Sequence, residues 1–215
     1  MNEKEKLIYE YLTELFPEAE IELKFKNAFE LLVAVVLSAQ CTDVRVNKVT
    51  PVLFDKYPSA KDMMAAKLED IEKIIYSTGF YKNKAKNIKS LSEKIVTDHD
   101  GNVPKTVEGL GRLPGVGKKT ANVVYSNYFG GDAIAVDTHV LRVSNRLGLS
   151  KSSNPNLVEK DLMRRFDKNI WSDLHSKMVL FGRYYCKSRN PKCDHCRLKD
   201  ICIYYNKGDR WYVCR

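Results

Sequence analysis

Two segments carry residue types that could do chemistry: Leu113-Pro-Gly-Val-Gly-Lys-Lys-Thr-Ala121 and Ala135-Val-Asp-Thr-His139. The first reads as a helix, a glycine turn and a second helix. Gly115 and Gly117 permit backbone angles that other residues avoid and leave room for a phosphate. The helix starting near Lys118 offers unpaired N–H groups and a positive dipole end to the same phosphate, with the Val116 backbone alongside. Lys118 adds a point charge. Lys119 follows, and Asp137 lies eighteen residues further on. An amine and a carboxylate beside a phosphate-docking turn suggest chemistry on a nucleoside sugar. An amine that attacks carbon must be neutral, and only roughly 0.04% of ordinary lysine is neutral at pH 7. Lys119 therefore needs desolvation or nearby positive charge, and Lys118 can supply the latter. Plainer roles compete. Lys119 could be a second phosphate contact, and Asp137 a helix N-cap, which Asp fills well. His139 reads as a packing or locally hydrogen-bonded residue.

A second group lies in the tail. Cys186, Cys193, Cys196 and Cys202 follow the spacing C-x6-C-x2-C-x5-C, four thiols within seventeen residues. Two disulfides are disfavoured in a reducing compartment. Zinc usually pairs two close Cys-x-x-Cys knuckles across a longer gap. An iron–sulfur cluster also takes four thiolates, and spacing alone leaves these two metals even. Cys41 and Cys214 lie outside the pattern, read as a core thiol and an incidental tail residue. Between the first two tail cysteines, Lys187-Ser-Arg-Asn-Pro-Lys192 places Lys187, Arg189 and Lys192 on one loop, where they can grip phosphates.

The elements that must position these groups are helical. Ala121, Val124, Tyr125 and Tyr128 recur at i, i+3, i+4, i+7, on a helix ending at Gly130-Gly131. Val158, Leu162 and Phe166 mark another after Pro155, and Leu68, Ile71, Ile74 and Ile75 a third. Phe29 to Ala39 is apolar throughout and ambiguous by period, but its length and Asn27 as an N-cap favour a helix. Alternating strand patterns are absent, so the chain reads as nearly all α. Gly79-Phe-Tyr-Lys-Asn-Lys-Ala85 weakly echoes Gly115 to Ala121 and reads either as a degenerate second hairpin or as chance.

The bulk properties agree. The 215 residues, 44% of them hydrophobic, suffice for one large core or two small ones. Thirty-six basic against 27 acidic residues leave +9, which favours a polyanionic partner. Phe29 to Ala39 is far shorter than the ~20 residues of a membrane span. The start, Met-Asn-Glu-Lys-Glu-Lys, has no apolar signal core. A cytoplasmic protein with reduced thiols is expected.

With these motifs assembled, the chain resembles endonuclease III, the helix-hairpin-helix DNA glycosylase/lyase family of base excision repair. The likeness covers almost the whole length and rests on Leu37-Ser-Ala-Gln-Cys-Thr-Asp-Val-Arg-Val-Asn-Lys48, Leu113 to Val124, Ile134 to Arg142, Gly182-Arg-Tyr-Tyr-Cys186 and the four-cysteine spacing. The resemblance implies a [4Fe-4S] cluster on the four cysteines. It also implies a Schiff-base lysine at Lys119 and a catalytic aspartate at Asp137. Gln40 matches a glutamine that fills the hole left by a flipped nucleotide. Phe80 stands where relatives carry an apolar wedge, often leucine, and Asp43 falls on a site-lining carboxylate. Two lobes are implied, a helical barrel over 21–131 and a cluster lobe of 1–20 plus 132–215, with the hairpin and Asp137 facing the cleft between. The expected partner is double-stranded DNA holding damaged pyrimidines or abasic sites, bound by a monomer associated with the nucleoid. A monofunctional mismatch glycosylase typically lacks lysine at the Lys119 position. A non-catalytic hairpin module does not explain Lys119 together with Asp137 and a cluster tail.

Overall fold

The computed structural model describes residues 1–206, so Cys214 lies outside the described residues. In chain order the α-helices are α1 (Glu3–Leu15), α2 (Ala28–Leu37), α3 (Asp43–Lys56), α4 (Ala60–Ala65), α5 (Leu68–Ile75), α6 (Tyr81–His99), α7 (Val107–Gly111), α8 (Lys118–Phe129), α9 (Thr138–Arg146), α10 (Pro155–Arg165), α11 (Trp171–Leu180) and α12 (Ile203–Asn206). Short 3-10 turns and one π-helical turn, Phe181–Tyr185, complete the list, and no strand occurs among the described residues. The chain divides into two compact units, Glu22–Gly130 and Met1–Ile21 with Gly131–Arg215.

The first unit is built around α2. Every residue from Phe29 to Leu37 is buried, which is why periodicity could not assign this segment: a helix surrounded by others is apolar all round. Its start is set by Asn27, whose side chain accepts from the Glu30 N–H at 2.9 Å. Glu30, buried itself, turns back to accept from the Lys26 N–H at 2.7 Å. Helices α3, α6 and α8 pack on α2. The face of α8 turned inward keeps Ala121 and Val124 of the apolar stripe and adds Asn122 and Ser126, while Tyr128 at the stripe's end is 41% exposed. Small residues let α8 lie close to α2, and Tyr128 stacks edge-on with Phe25 instead.

The second unit joins α1 to α9, α10 and α11 around Ile8, Leu12, Val140, Val143, Val158, Leu162, Leu174, Met178 and Phe181. Pro155 stands at the first position of α10, where its missing N–H costs nothing. Gly182 lets the π-helical turn press against α9: a Cβ there would meet that of His139 at 2.8 Å. Among the described residues no helix is long and apolar enough to cross a membrane.

Candidate active site and nucleic-acid interface

The glycine turn lies between α7 and α8. Gly115 has φ +74, and a Cβ there would meet Asn87 at 2.7 Å, so this position demands glycine twice over. Gly117 is different: its φ is ordinary, and a Cβ would meet nothing within 4 Å. Gly117 keeps the approach to the helix end open. It is the N-cap of α8, no side chain caps the helix, and the first turn holds no acidic residue. Lys118 and Lys119 are both exposed there. Val116 goes inward, 6% exposed, and its N–H donates to Leu113 O at 3.1 Å. It anchors the turn and does not offer a bare N–H. The echo at 79–85 has a parallel form, with Gly79 at φ +70 before α6 and Ala85 buried as Ala121 is.

Asp137, half-buried, caps α9: its Oδ1 accepts from the Val140 N–H at 2.8 Å. The cap thus exists, and it occupies one carboxylate oxygen. His139 is half-buried, with Nδ1 3.2 Å from Arg142 Nη2. Lys119 belongs to the first unit and Asp137 to the second.

Gln40 and Phe80 are both exposed, Phe80 at 66%. Both hold left-handed backbone, φ 53 and φ 48. Non-glycine residues rarely take that region, and when they do the strain, about 1–3 kcal/mol each, gathers at functional sites. Asp43 is half-buried in the first turn of α3, which Thr42 caps. Cys41, expected in the core, instead sits half-buried in the short connection between α2 and α3, because α2 ends at Leu37 before reaching it.

The described cysteines are free thiols. Cys186, Cys193, Cys196 and Cys202 line one cavity of about 360 Å³, counted to its open mouth, together with Phe181, Tyr185 and Tyr204. Burial pushes the Cys196 thiol up to about 11, and the other three cysteines push it the same way. Cys193 and Cys202 are raised by burial too. Among the described residues no three His, Cys, Asp or Glu side chains close on a point that could hold a single metal ion.

Two residues that the sequence did not single out hold this region. Arg142 and Arg146 lie one turn apart on α9, 8% and 2% exposed. Arg142 Nη2 donates to Gly182 O at 2.7 Å and to Cys186 O at 3.3 Å. Arg146 Nη1 donates to Lys187 O at 2.7 Å and Nη2 to Ser188 O at 3.1 Å, while its guanidinium lies 4.1 Å from the Tyr204 ring centre. Lys187, Arg189 and Lys192 are thereby exposed on a loop whose backbone is tied down; Asn190 at φ 50 makes its corner. A third such residue is Lys84, buried on α6. Its signal was in the sequence: it continues the apolar stripe Ile88, Leu91, Ile95, where a lysine is out of place.

Comparison with known proteins matches residues 33–168 to the HhH-GPD superfamily of base excision DNA repair proteins. Endonuclease III of Bacillus subtilis is 52% identical over 198 residues, covering 92% of this chain and 90% of the relative. Endonuclease III of Escherichia coli K12 is 40% identical over 210 residues, covering 97% and 100%. A trapped endonuclease III–DNA covalent intermediate superposes with a TM-score of 0.90 at 48% identity, over 96% of this chain and 99% of that one. A non-covalent endonuclease III–DNA complex gives 0.91 at 48% identity, over 96% and 98%. With the glycine turn, its lysine pair and this likeness along nearly the whole length, the chain belongs to the endonuclease III family of base excision DNA repair proteins.

Proposed function

We propose that Lys119 is the nucleophile and Asp137 the catalytic carboxylate with which this chain removes oxidised pyrimidines from duplex DNA. The broader activity is that of a DNA glycosylase with abasic-site lyase action. The observation that carries the finer reading is the first turn of α8, where an exposed Lys119 follows an uncapped helix end with open space at Gly117. A phosphate seated on that helix end fixes the strand, and the lysine one residue on is within the reach of its sugar.

A base inside the stack is out of reach, so the damaged nucleotide is flipped out at a cost of a few kcal/mol. Gln40 and Phe80, exposed on strained backbone, fill the gap. Lys119 Nζ, neutral, attacks C1′, and the base leaves with the electron pair of the glycosidic bond. Loss of the amine proton and opening of the sugar ring give an imine at C1′. The imine acidifies C2′; removal of that proton breaks the C3′–O bond, and the strand is cut 3′ to the lesion. Asp137 keeps one oxygen beyond its cap bond, with which it stabilises positive charge on the sugar or takes the lysine proton.

The four cysteines fit a [4Fe-4S] cluster. The four thiols wall a common cavity, and it is the likeness to endonuclease III that favours the cluster over zinc. A multi-iron cluster takes one thiolate at each iron. Cys186, Cys193, Cys196 and Cys202 would hold it, and it would supply a covalent tie across the tail and a redox centre. Lys187, Arg189 and Lys192, on the loop that Arg146 fastens, grip DNA phosphates.

Borohydride is the test. On a duplex bearing thymine glycol it is expected to trap a covalent protein–DNA adduct, and Lys119→Gln to abolish trapping and strand cleavage while damaged DNA is still bound. Trapping and cleavage at the native rate in Lys119→Gln would assign the nucleophile to another amine.

A further inference from the structure

Lys84 holds an unusual position. Its side chain is 5% exposed, and its Nζ donates to two main-chain carbonyls, Leu37 O and Thr78 O, each at 2.8 Å. Leu37 is the last residue of α2, three before Gln40; Thr78 is two before Phe80. The Lys84 N–H closes the first turn of α6 on Phe80 O at 3.1 Å. One side chain thus ties together the two stretches of chain that carry Gln40 and Phe80, both exposed and left-handed.

Packing alone does not require this. A methionine or leucine would continue the stripe of Ile88, Leu91 and Ile95 without the cost of burying an ammonium. Burial lowers the Lys84 pKa, so the charge is held there against its own desolvation, with Cys41 nearby acting the other way. What the ammonium adds is two donors aimed at carbonyls 41 residues apart in sequence. An ammonium has three donors and no acceptor, which suits a tie between backbone carbonyls.

We infer that Lys84 is a positioning residue that makes Gln40 and Phe80 one rigid wedge, so that both enter the duplex in register when the damaged nucleotide leaves it. This rests on the reading of Gln40 and Phe80 as the residues that fill the gap. A wedge on two independent loops would have to be ordered on binding; one already tied binds without that loss.

The test measures single-turnover base release from thymine glycol in a duplex and in a single strand, where there is no gap to fill. Gln40→Ala and Phe80→Ala test the underlying reading: each is expected to lose more on the duplex, and equal losses on both substrates by these variants would overturn the wedge itself. Lys84→Met tests the tie. It is expected to slow release from the duplex about tenfold or more while changing the single-strand rate less than about twofold. Added to Gln40→Ala with Phe80→Ala it is expected to cost little further, since residues of one unit are not additive. If Lys84→Met leaves the duplex rate intact, slows both substrates equally, or multiplies fully with the double variant, Lys84 is a structural lysine and the inference is wrong, whatever Gln40 and Phe80 do. Should Lys84→Met melt below the assay temperature, Lys84→Gln, too short to span both carbonyls, takes its place with the same readings.

Discussion

Asp137 is both a helix cap and the proposed catalytic carboxylate, and two substitutions separate the roles. The cap bond is Oδ1 accepting from the Val140 N–H at 2.8 Å. Asp137→Asn keeps an oxygen in that place and removes only the charge at the α9 N-terminus, a loss of about 0.3–1 kcal/mol. Asp137→Ala removes the cap as well, about 1 kcal/mol more. For a chain of this size each kcal/mol lowers the melting temperature by about 2–4 °C. Asn is therefore expected to melt about 1–4 °C below the parent, and Ala about 3–8 °C below. Catalysis sorts the variants differently. Both lack the charge, so both are expected to release thymine glycol about 10²–10³-fold more slowly, the range seen when a preorganised electrostatic group is removed. On a site already abasic the loss is expected to be smaller, because no base has to be expelled. Calorimetry and single-turnover excision together decide the matter. Base release by Asp137→Asn at the parent rate would show that Asp137 only caps α9; melting as low as Asp137→Ala would show that the oxygen bond is not what the cap supplies.

Gly115→Ala is expected to cost about 1–3 kcal/mol in stability, from the left-handed backbone and the clash with Asn87, read as a lowered melting temperature. Gly117→Ala is expected to melt within a few degrees of the parent yet bind DNA more weakly, since its methyl enters the open approach to α8; unchanged affinity would show that no phosphate comes there. Neutralising Lys187, Arg189 or Lys192 singly is expected to reduce the salt slope of DNA binding by about one unit each, and three unchanged slopes would make the loop a solvated turn. Protein made under iron-replete, low-oxygen conditions is expected to carry four irons, unchanged in Cys41→Ser and Cys214→Ser, and zinc without iron would refute the cluster. Arg146→Met, which frees Lys187 O and Ser188 O, is expected to lower iron retention and DNA affinity together.

Local signals carried much of this fold and site. Asn27, Pro155 and Gly130 mark helix ends by chemistry confined to a few neighbouring residues, and each stands at such an end. The glycine turn was legible for the same reason, although only its first glycine is forced by backbone and its valine is spent on holding the turn. What escaped depends on distance along the chain. Lys84 is out of place on the stripe of Ile88, Leu91 and Ile95, which marks it in the sequence, but its two carbonyl partners, Leu37 and Thr78, show only in the fold. Arg142 and Arg146 have no local signal of their role, since they reach 40 to 44 residues onward to shape the tail. On α8 the stripe is right at Ala121 and Val124 but not at the exposed Tyr128, because periodicity reports apolar residues, whereas close helix packing also buried Asn122 and Ser126.

The way the second unit is assembled from both halves of the chain sets a timetable for its synthesis. Tyr11 of α1 donates its hydroxyl hydrogen to Tyr185, 174 residues later. At about 5–20 residues per second, α1 waits roughly 10–35 s on the ribosome for that partner. The intervening residues, Glu22–Gly130, form a compact unit of their own and are all made well before Tyr185. Until residues beyond Gly131 are made, the α1 stripe of Ile8, Tyr11 and Leu12 lacks the rest of its core cluster. Its capping box, Asn2 and Glu5 each bonding the other's backbone N–H, steadies the helix by contacts made within its first turn. Glu5 then meets Arg165 when α10 emerges, at 3.0 Å, before α11 arrives. On this timetable α1, the first helix made, stands longest without its full set of native partners.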